Sequence, residues 1–104
     1  FNTLRDPFAY VSGLPLDAVG EIHLAGHVRD CDETCTPVLI DNHGAPVADA
    51  VWDLYRDVLA LRGPVATLIE WDSDVPAYRV LRAEAAQAHC WLEQAGCAPQ
   101  ARVA

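Results

Sequence analysis

Histidine and carboxylate side chains occur at alternate positions in three short stretches of this 104-residue chain. Residues i and i+2 of a β-strand share one face, so each stretch can direct two side chains at one point. Mixed imidazole and carboxylate groups are suitable ligands for iron, manganese or zinc. The three pairs are Glu21 with His23, Asp41 with His43, and Glu70 with Asp72.

The elements around these pairs predict alternating strands and helices, and so an α/β fold. We interpret the chain as part of a single domain with lead-in loops and short helices, β/α units and a tail. These three parts are predicted at 1–19, 20–95 and 96–104. Within the β/α units we predict strands at 21–25, 38–40 and 65–71, a polar loop at 28–37, and a helix at 48–62.

A second helix is expected to follow the last strand and to end at Gly96. Asp74 is predicted to cap this helix, with Pro76 in its first turn. The strand before it, at 65–71, is almost continuously apolar or β-branched. Such a run is typical of a strand that is buried on both faces of a parallel sheet.

All three pairs fall at the carboxyl end of a predicted strand, the edge where α/β folds collect ligands and catalytic groups. Each residue also has a plainer interpretation. Asp41 can cap the following turn, and His23 can be a hydrogen-bonded core histidine. Glu21 can pair with an arginine, and Asp72 can cap a loop. Glu70 ends an apolar strand, where a carboxylate is costly to bury unless it is paired or metal-bound.

Composition excludes several function classes. The chain is 52% hydrophobic and 21% charged, which indicates a packed core. Its net charge of −8 argues against nucleic-acid binding, which draws affinity from neutralised phosphates. No run approaches the roughly 20 apolar residues that a membrane-spanning helix needs. We therefore expect a cytoplasmic protein that binds neither nucleic acid nor membrane.

Free thiols are the favoured state of the cysteines, because the apolar segments can build a core without disulfides. The cysteines are Cys31, Cys35, Cys90 and Cys97. Alternatives remain for the first two, which can form a disulfide or join His27 and His43 in a zinc site. Their spacing is not that of a zinc finger or a zinc ribbon.

Three longer strings carry a family resemblance: GEIHLAGH at 20–27, LIDNHGAPV at 39–47 and TLIEWD at 67–72. In order and spacing, and with VWDLY at 51–55 between the last two, they resemble the multinuclear non-haem iron-dependent oxidative enzymes. This is the family of the methanobactin-forming oxidase. The resemblance extends over about 7–93 of the chain.

The resemblance implies a xylose-isomerase-like (β/α)₈ TIM barrel, of which this chain supplies the C-terminal β/α units and is therefore incomplete. It implies two or three iron ions at the mouth of the complete barrel. Position by position, the family's metal ligands match His23, Asp41, His43 and Glu70. Glu21, His27 and Asp72 are candidates to support these ligands by hydrogen bonding or to contact the substrate.

The implied activity is modification of cysteine-containing, ribosomally made precursor peptides with O₂, aided by a partner protein that binds the leader peptide. We expect this fragment to be inactive alone. Two alternatives remain open. One is a metal-dependent isomerase or endonuclease-type barrel that uses zinc, manganese or magnesium. The other is a truncated, non-catalytic remnant or interaction module.

Overall fold

The chain combines helices with strands, as the hydrophobic periodicity predicts, although three strands in succession precede the first long helix. The computed structural model describes residues 1–97, so most of the predicted tail at 96–104 lies outside the described residues. The elements are α1 (Pro7–Ser12), a single 3₁₀ turn (Leu16–Ala18), β1 (Glu21–Ala25), β2 (Val28–Cys31), β3 (Pro37–Ile40), α2 (Asp49–Arg62), β4 (Ala66–Glu70) and α3 (Tyr78–Cys97). None of the helices in this part of the chain has the length and apolar character needed to cross a bilayer.

Strands β1 and β4 form a parallel pair, with Glu21 opposite Ala66 and Ala25 opposite Glu70. Helix α2 lies in the connection between them, and α3 follows β4. The predicted β/α units are thereby confirmed. Because the two strands run in the same direction, their carboxyl ends meet at one edge of the sheet. That edge carries the candidate site.

The core lies between this sheet and the two long helices. Apolar residues of α2 recur every three or four positions and face the sheet, as a period of 3.6 requires. Burying each large side chain contributes about 1.5–3 kcal/mol. The buried set comprises Leu24, Val47, Trp52, Tyr55, Val58, Leu59, Val65 and Ala88. The hydroxyl of Tyr55 donates to Oγ1 of Thr67 at 2.8 Å, which ties α2 to β4.

The segment predicted as a polar loop at 28–37 is instead a β-hairpin, so that prediction is wrong. Strands β2 and β3 pair antiparallel and form a separate two-stranded sheet. Residues 32–36 connect them, and the N–H of Asp32 donates to the carbonyl of Thr36 at 2.9 Å, which leaves 33–35 as a three-residue loop inside this closing pair. Every residue of β2 is exposed, so the strand carries no alternation of apolar and polar residues that could reveal it.

Two further predictions are corrected around β4 and α3. Strand β4 is not buried on both faces: Leu68 is 47% exposed, because β1 is its only neighbour within residues 1–97. Helix α3 begins at Tyr78, beyond Pro76, so Asp74 does not cap it. Asp74 has a φ of 49°, which lies outside helical geometry. The helix also continues through Gly96 to Cys97.

Candidate metal centre

The parallel strands place side chains of two predicted pairs on one face of the sheet, but the predicted position of the first pair is wrong. Glu21 is the first and His23 the middle residue of β1, so they do not lie at its carboxyl end. Glu21 and His23 share the more exposed face of β1, opposite the face that buries Leu24. His23 lies beside Leu68 in the register, and Glu70 stands two residues further along the same face of β4. The side chains of His23 and Glu70 are therefore diagonal neighbours across the strand pair.

Glu70 contacts two histidines, one with each carboxylate oxygen. Its Oε2 lies 3.0 Å from Nδ1 of His23, and its Oε1 lies 3.1 Å from Nδ1 of His43. The side chains of Glu70 and His43 are only 27% and 24% exposed, which makes them the most sheltered members of the cluster. Glu70 thus joins the strand pair to the segment that follows the hairpin.

Three further carboxylates surround the two imidazoles. Glu21 contacts Nε2 of His23. Asp41 Oδ1 lies 2.9 Å from Nε2 of His43, and Asp72 Oδ2 lies 2.9 Å from its Nδ1. The structure therefore brings six of the seven predicted site residues into one connected cluster.

Both ring nitrogens of each histidine face a carboxylate, yet a neutral imidazole has only one N–H to donate. Hydrogen bonds to Glu21, the larger effect, and to Glu70 raise the pKa of His23 above its ordinary value. The hydrogen bond to Asp72 does the same for the pKa of His43. Each ring must carry a second proton or hold a cation in its place. The cluster is thus arranged to attract positive charge.

The tightest group in the cluster comprises His43, Glu70 and Asp72. Each offers one ligand atom, and these atoms lie within 4.8 Å of one another. Within residues 1–97, no arginine forms an ion pair with these carboxylates. One imidazole with two carboxylates is a donor set that suits iron, manganese or zinc. Asp72, for which the sequence indicated only a supporting or substrate-contact role, lies as close to Nδ1 of His43 as the candidate ligand Glu70 does, at 2.9 Å against 3.1 Å.

Backbone contacts bring residues 41–47, here called the His43 segment, to the end of β4. The carbonyl of His43 accepts the N–H groups of Asp72 and Ser73 at 2.7 and 3.3 Å. The Ser73 hydroxyl donates to the carbonyl of Asn42 at 3.1 Å. His43 has a φ of 50°, a left-handed conformation that a histidine adopts only when its surroundings hold it.

The opposite side of the His43 segment rests on the end of β1 at Gly26. A Cβ atom at this glycine would lie 1.9 Å from the carbonyl oxygen of Ala45 and 2.7 Å from that of Pro46. Only a glycine allows the two backbones to approach this closely. The segment is therefore held between the carboxyl ends of β1 and β4.

The remaining predicted residues lie apart from this cluster. His27 is partly buried, and its side chain forms no hydrogen bond or ion pair with any residue in 1–97. All four cysteines are exposed free thiols. The described part of the chain contains no group of three metal-ligating side chains that includes a cysteine. The zinc site considered for Cys31, Cys35, His27 and His43 is not assembled.

Sequence reasoning missed three residues that shape the site: Asn42, Ser73 and Glu84. Asn42 and Ser73 adjoin candidate ligands, so their position next to these residues was an available signal. Glu84 gave no such signal, because it lies in the alanine-rich stretch of α3. Its Oε2 accepts the N–H of Val47 at 3.2 Å. Burial raises the pKa of this carboxyl, although the bond from Val47 opposes the rise.

Comparison with known proteins gives one family match. The family model described as "RiPP precursor modification enzyme MbnB/TglH/ChrH" matches residues 1–93. The match therefore includes every candidate site residue. No solved structure matches the chain.

Several curated relatives carry only the name UPF0276 protein. One from Paraburkholderia phytofirmans is 56% identical over 80 residues, which cover 77% of this chain and 26% of the relative. One from Bordetella parapertussis is 60% identical over 79 residues, covering 76% and 27%. A third, from Rhizobium meliloti, is 48% identical over 85 residues, covering 82% and 28%. The chain thus spans about a quarter of the length of the relatives it matches.

Proposed function

The chain belongs to the family of RiPP precursor modification enzymes MbnB/TglH/ChrH, and from this premise we propose an iron-dependent peptide oxidase. This chain contributes part of the metal centre to an enzyme that modifies cysteine-containing, ribosomally made peptides with O₂. The observation that carries the proposal is the position of Glu70, whose two oxygens contact His23 and His43. Family membership is the basis for proposing a peptide substrate. The convergence of these side chains on Glu70 is the basis for proposing a metal.

The donor set fits iron. Imidazole and carboxylate side chains converge without a competing thiolate or arginine among the described residues, and such sets suit Fe²⁺. Bound iron would supply the electron transfer to O₂ that oxidation of a peptide requires. The residues that would hold it are His23, Asp41, His43 and Glu70, and the position of Asp72 adds it to the candidates.

The neighbouring side chains of this chain orient these ligands. Glu21 faces Nε2 of His23 and fixes the direction of the ring, as a carboxylate beside a metal-binding histidine commonly does. Glu70 presents its two oxygens to two different histidines, so its carboxylate would be able to hold iron together with either ring. This arrangement supports a centre with more than one ion.

The strand pair supports a (β/α)₈ barrel for the complete enzyme. Strands β1 and β4 are parallel neighbours with helices after them, and each has one open edge within residues 1–97. The relatives supply several times more chain than this segment, enough for the remaining strands and ligands. We further propose that a separate protein holds the leader peptide and that the enzyme works in the cytoplasm, where its substrate is made.

The test uses the natural full-length protein, purified without oxygen and loaded with Fe²⁺. A cysteine-containing precursor peptide from the same organism is added with O₂. Oxygen consumption and the mass of the peptide are then followed. We expect His43→Ala to reduce turnover by at least about 100-fold, since loss of even an outer-shell partner costs roughly 10–100-fold. His89→Ala is the matched control, because His89 is a 71% exposed histidine on α3.

Equal turnover by His43→Ala and His89→Ala would contradict the proposal. Full activity with manganese or zinc in the absence of O₂ would contradict it as well. That second result would favour the isomerase or endonuclease-type barrel.

A further inference from the structure

Glu84 makes an unusual contact for a carboxylate in the middle of a helix. It is partly buried, and its Oε2 accepts the N–H of Val47 at 3.2 Å. It forms no ion pair with any residue in 1–97. Burying a carboxylate without a cation beside it costs free energy. The hydrogen bond from the N–H of Val47 is the interaction that offsets this cost.

Val47 is the last residue of the His43 segment and one of the most buried residues of the core, at 6% exposure. Helix α2 starts just after it, and the N-cap residue Ala48 offers no side-chain hydrogen bond. Among residues 1–97, Oε2 of Glu84 is the acceptor that the N–H of Val47 reaches, and no backbone carbonyl outside the helices and strands replaces it. This is the hydrogen bond that links α3 to the His43 segment.

Together with the contacts described above, Glu84 completes a three-point attachment. Asp72 and Ser73 hold the carbonyl of His43 at the end of β4. The carbonyl groups of Ala45 and Pro46 pack directly against Gly26 at the end of β1. Glu84 holds the far end of the segment from α3. Between these points the segment has no regular secondary structure, so its conformation depends on them.

We propose that Glu84 is a positioning residue of the metal centre, which fixes the end of the His43 segment and thereby keeps His43 opposite Glu70. This inference rests on the proposed function, since it assigns Glu84 to the same metal centre. Glu84 does not touch the metal. It acts through Val47 and the segment, whose left-handed residue His43 needs external support to keep its conformation.

A purely structural role would lower stability without affecting the metal. The two roles are separated by Tyr55→Phe, which removes the hydrogen bond between α2 and β4 and leaves the His43 segment intact. We expect this variant to lower the melting temperature through a comparable change, the loss of one hydrogen bond. A second control is Glu93→Ala, which removes a carboxylate from the same helix where the side chain is 68% exposed.

The experiment measures the dissociation constant of Fe²⁺ anaerobically, and the melting temperature, for the full-length protein and each variant. We expect Glu84→Ala to weaken Fe²⁺ binding by about 10-fold or more, the effect of losing an outer-shell contact. Glu84→Gln retains an acceptor oxygen for Val47 and is expected to restore binding close to that of the wild type. Glu93→Ala and Tyr55→Phe should bind Fe²⁺ as the wild type does.

Fe²⁺ binding by Glu84→Ala that equals that of Glu93→Ala would overturn the positioning role while leaving the metal centre in place. Failure of the wild type to bind Fe²⁺ would overturn the proposed function itself. Should Glu84→Ala not fold, Glu84→Asp replaces it. Aspartate keeps the charge but is one methylene shorter, so weakened binding is again expected, and unchanged binding overturns the positioning role.

Discussion

At the residue scale, the candidate centre combines two different ways of bringing side chains together. Alternation along a strand explains why Glu21 and His23 share a face, and this was predictable from sequence. The same rule does not explain Asp41 and His43. Strand β3 ends at Ile40, and the backbone of His43 has a φ of 50°. Their position depends on hydrogen bonds from the end of β4, which no local pattern encodes.

Gly26 offers a direct check of how closely the His43 segment packs. In Gly26→Ala the new Cβ would meet the backbone of Ala45 at 1.9 Å, and backbone atoms cannot rotate away. We expect a loss of about 3 kcal/mol in the free energy of unfolding, the upper range for overpacking. Gly20→Ala is the control, because nothing lies within 4 Å of a Cβ there. Equal stability of the two variants in denaturant titrations would show that the segment does not pack on β1.

Glu84 should make stability depend on pH in a defined direction. Burial raises its pKa in the folded state above the ordinary value of 4.5, so the folded state binds more protons than the unfolded state between these two values. Its contribution to stability is therefore fully present below pH 4.5 and is lost as pH rises through the folded pKa. Glu84→Gln lacks this ionisation.

We therefore expect the stability of Glu84→Gln relative to the wild type to increase from acidic to neutral pH. Denaturant unfolding at a series of pH values measures this difference. A difference that is constant with pH, or that falls toward neutrality, would contradict the assignment. The exposed carboxylate variant Glu93→Gln serves as the comparison.

At the element scale, the strands and helices with strong periodicity were predictable and those without it were not. The predicted ranges of β1 and α2 agree closely with the structure because their apolar residues repeat at the periods of a strand and a helix. Strand β2 is exposed along its whole length. Its pairing partner and the turn specify it, and neither leaves an apolar signal. The predicted start of α3 was too early, because Asp and Pro residues are compatible with a loop as well as with the first turn of a helix.

The hairpin loop contains a residue that is conformationally unfavourable. Cys35 has a φ of 60°, and the N–H of Cys35 donates to the carbonyl of Asp32 at 2.9 Å. Three-residue hairpin loops prefer glycine at this left-handed position. A left-handed non-glycine residue costs roughly 1–2 kcal/mol, and the backbone entropy of glycine costs about 0.5–1 kcal/mol.

Cys35→Gly is therefore expected to stabilise the protein by about 0.5–1 kcal/mol. Cys31→Gly is the matched control, because Cys31 is an exposed cysteine in the extended strand β2 and glycine weakens a strand. Unfolding curves for both variants measure the effect. The assignment of this loop would be contradicted if Cys35→Gly lost as much stability as Cys31→Gly.

At the scale of the whole molecule, the parallel strands place Glu70 and the His43 segment at the carboxyl edge of the sheet, as the sequence predicted, whereas Glu21 and His23 lie at the start and middle of β1. The fold could be predicted this far because the strand and helix periods are clear. The burial of β4 could not be predicted correctly. An apolar strand indicates that other residues cover both of its faces, but it does not identify those residues. Leu68 remains 47% exposed with β1 as its neighbour. The relatives, of which this chain matches about a quarter, contain the additional chain that could cover it.

The central claim is that Glu70 joins His23 and His43 into one iron centre, and metal content tests it most directly. The natural full-length protein is purified without oxygen, and its iron, manganese and zinc are measured by elemental analysis. Glu70→Gln keeps the size of the side chain but removes the charge that both imidazoles face. Glu93→Gln makes the same change at an exposed position on α3. We predict iron in the wild type and in Glu93→Gln, with most of it lost from Glu70→Gln. Iron retained in full by Glu70→Gln, or a wild type that carries none, would contradict the account.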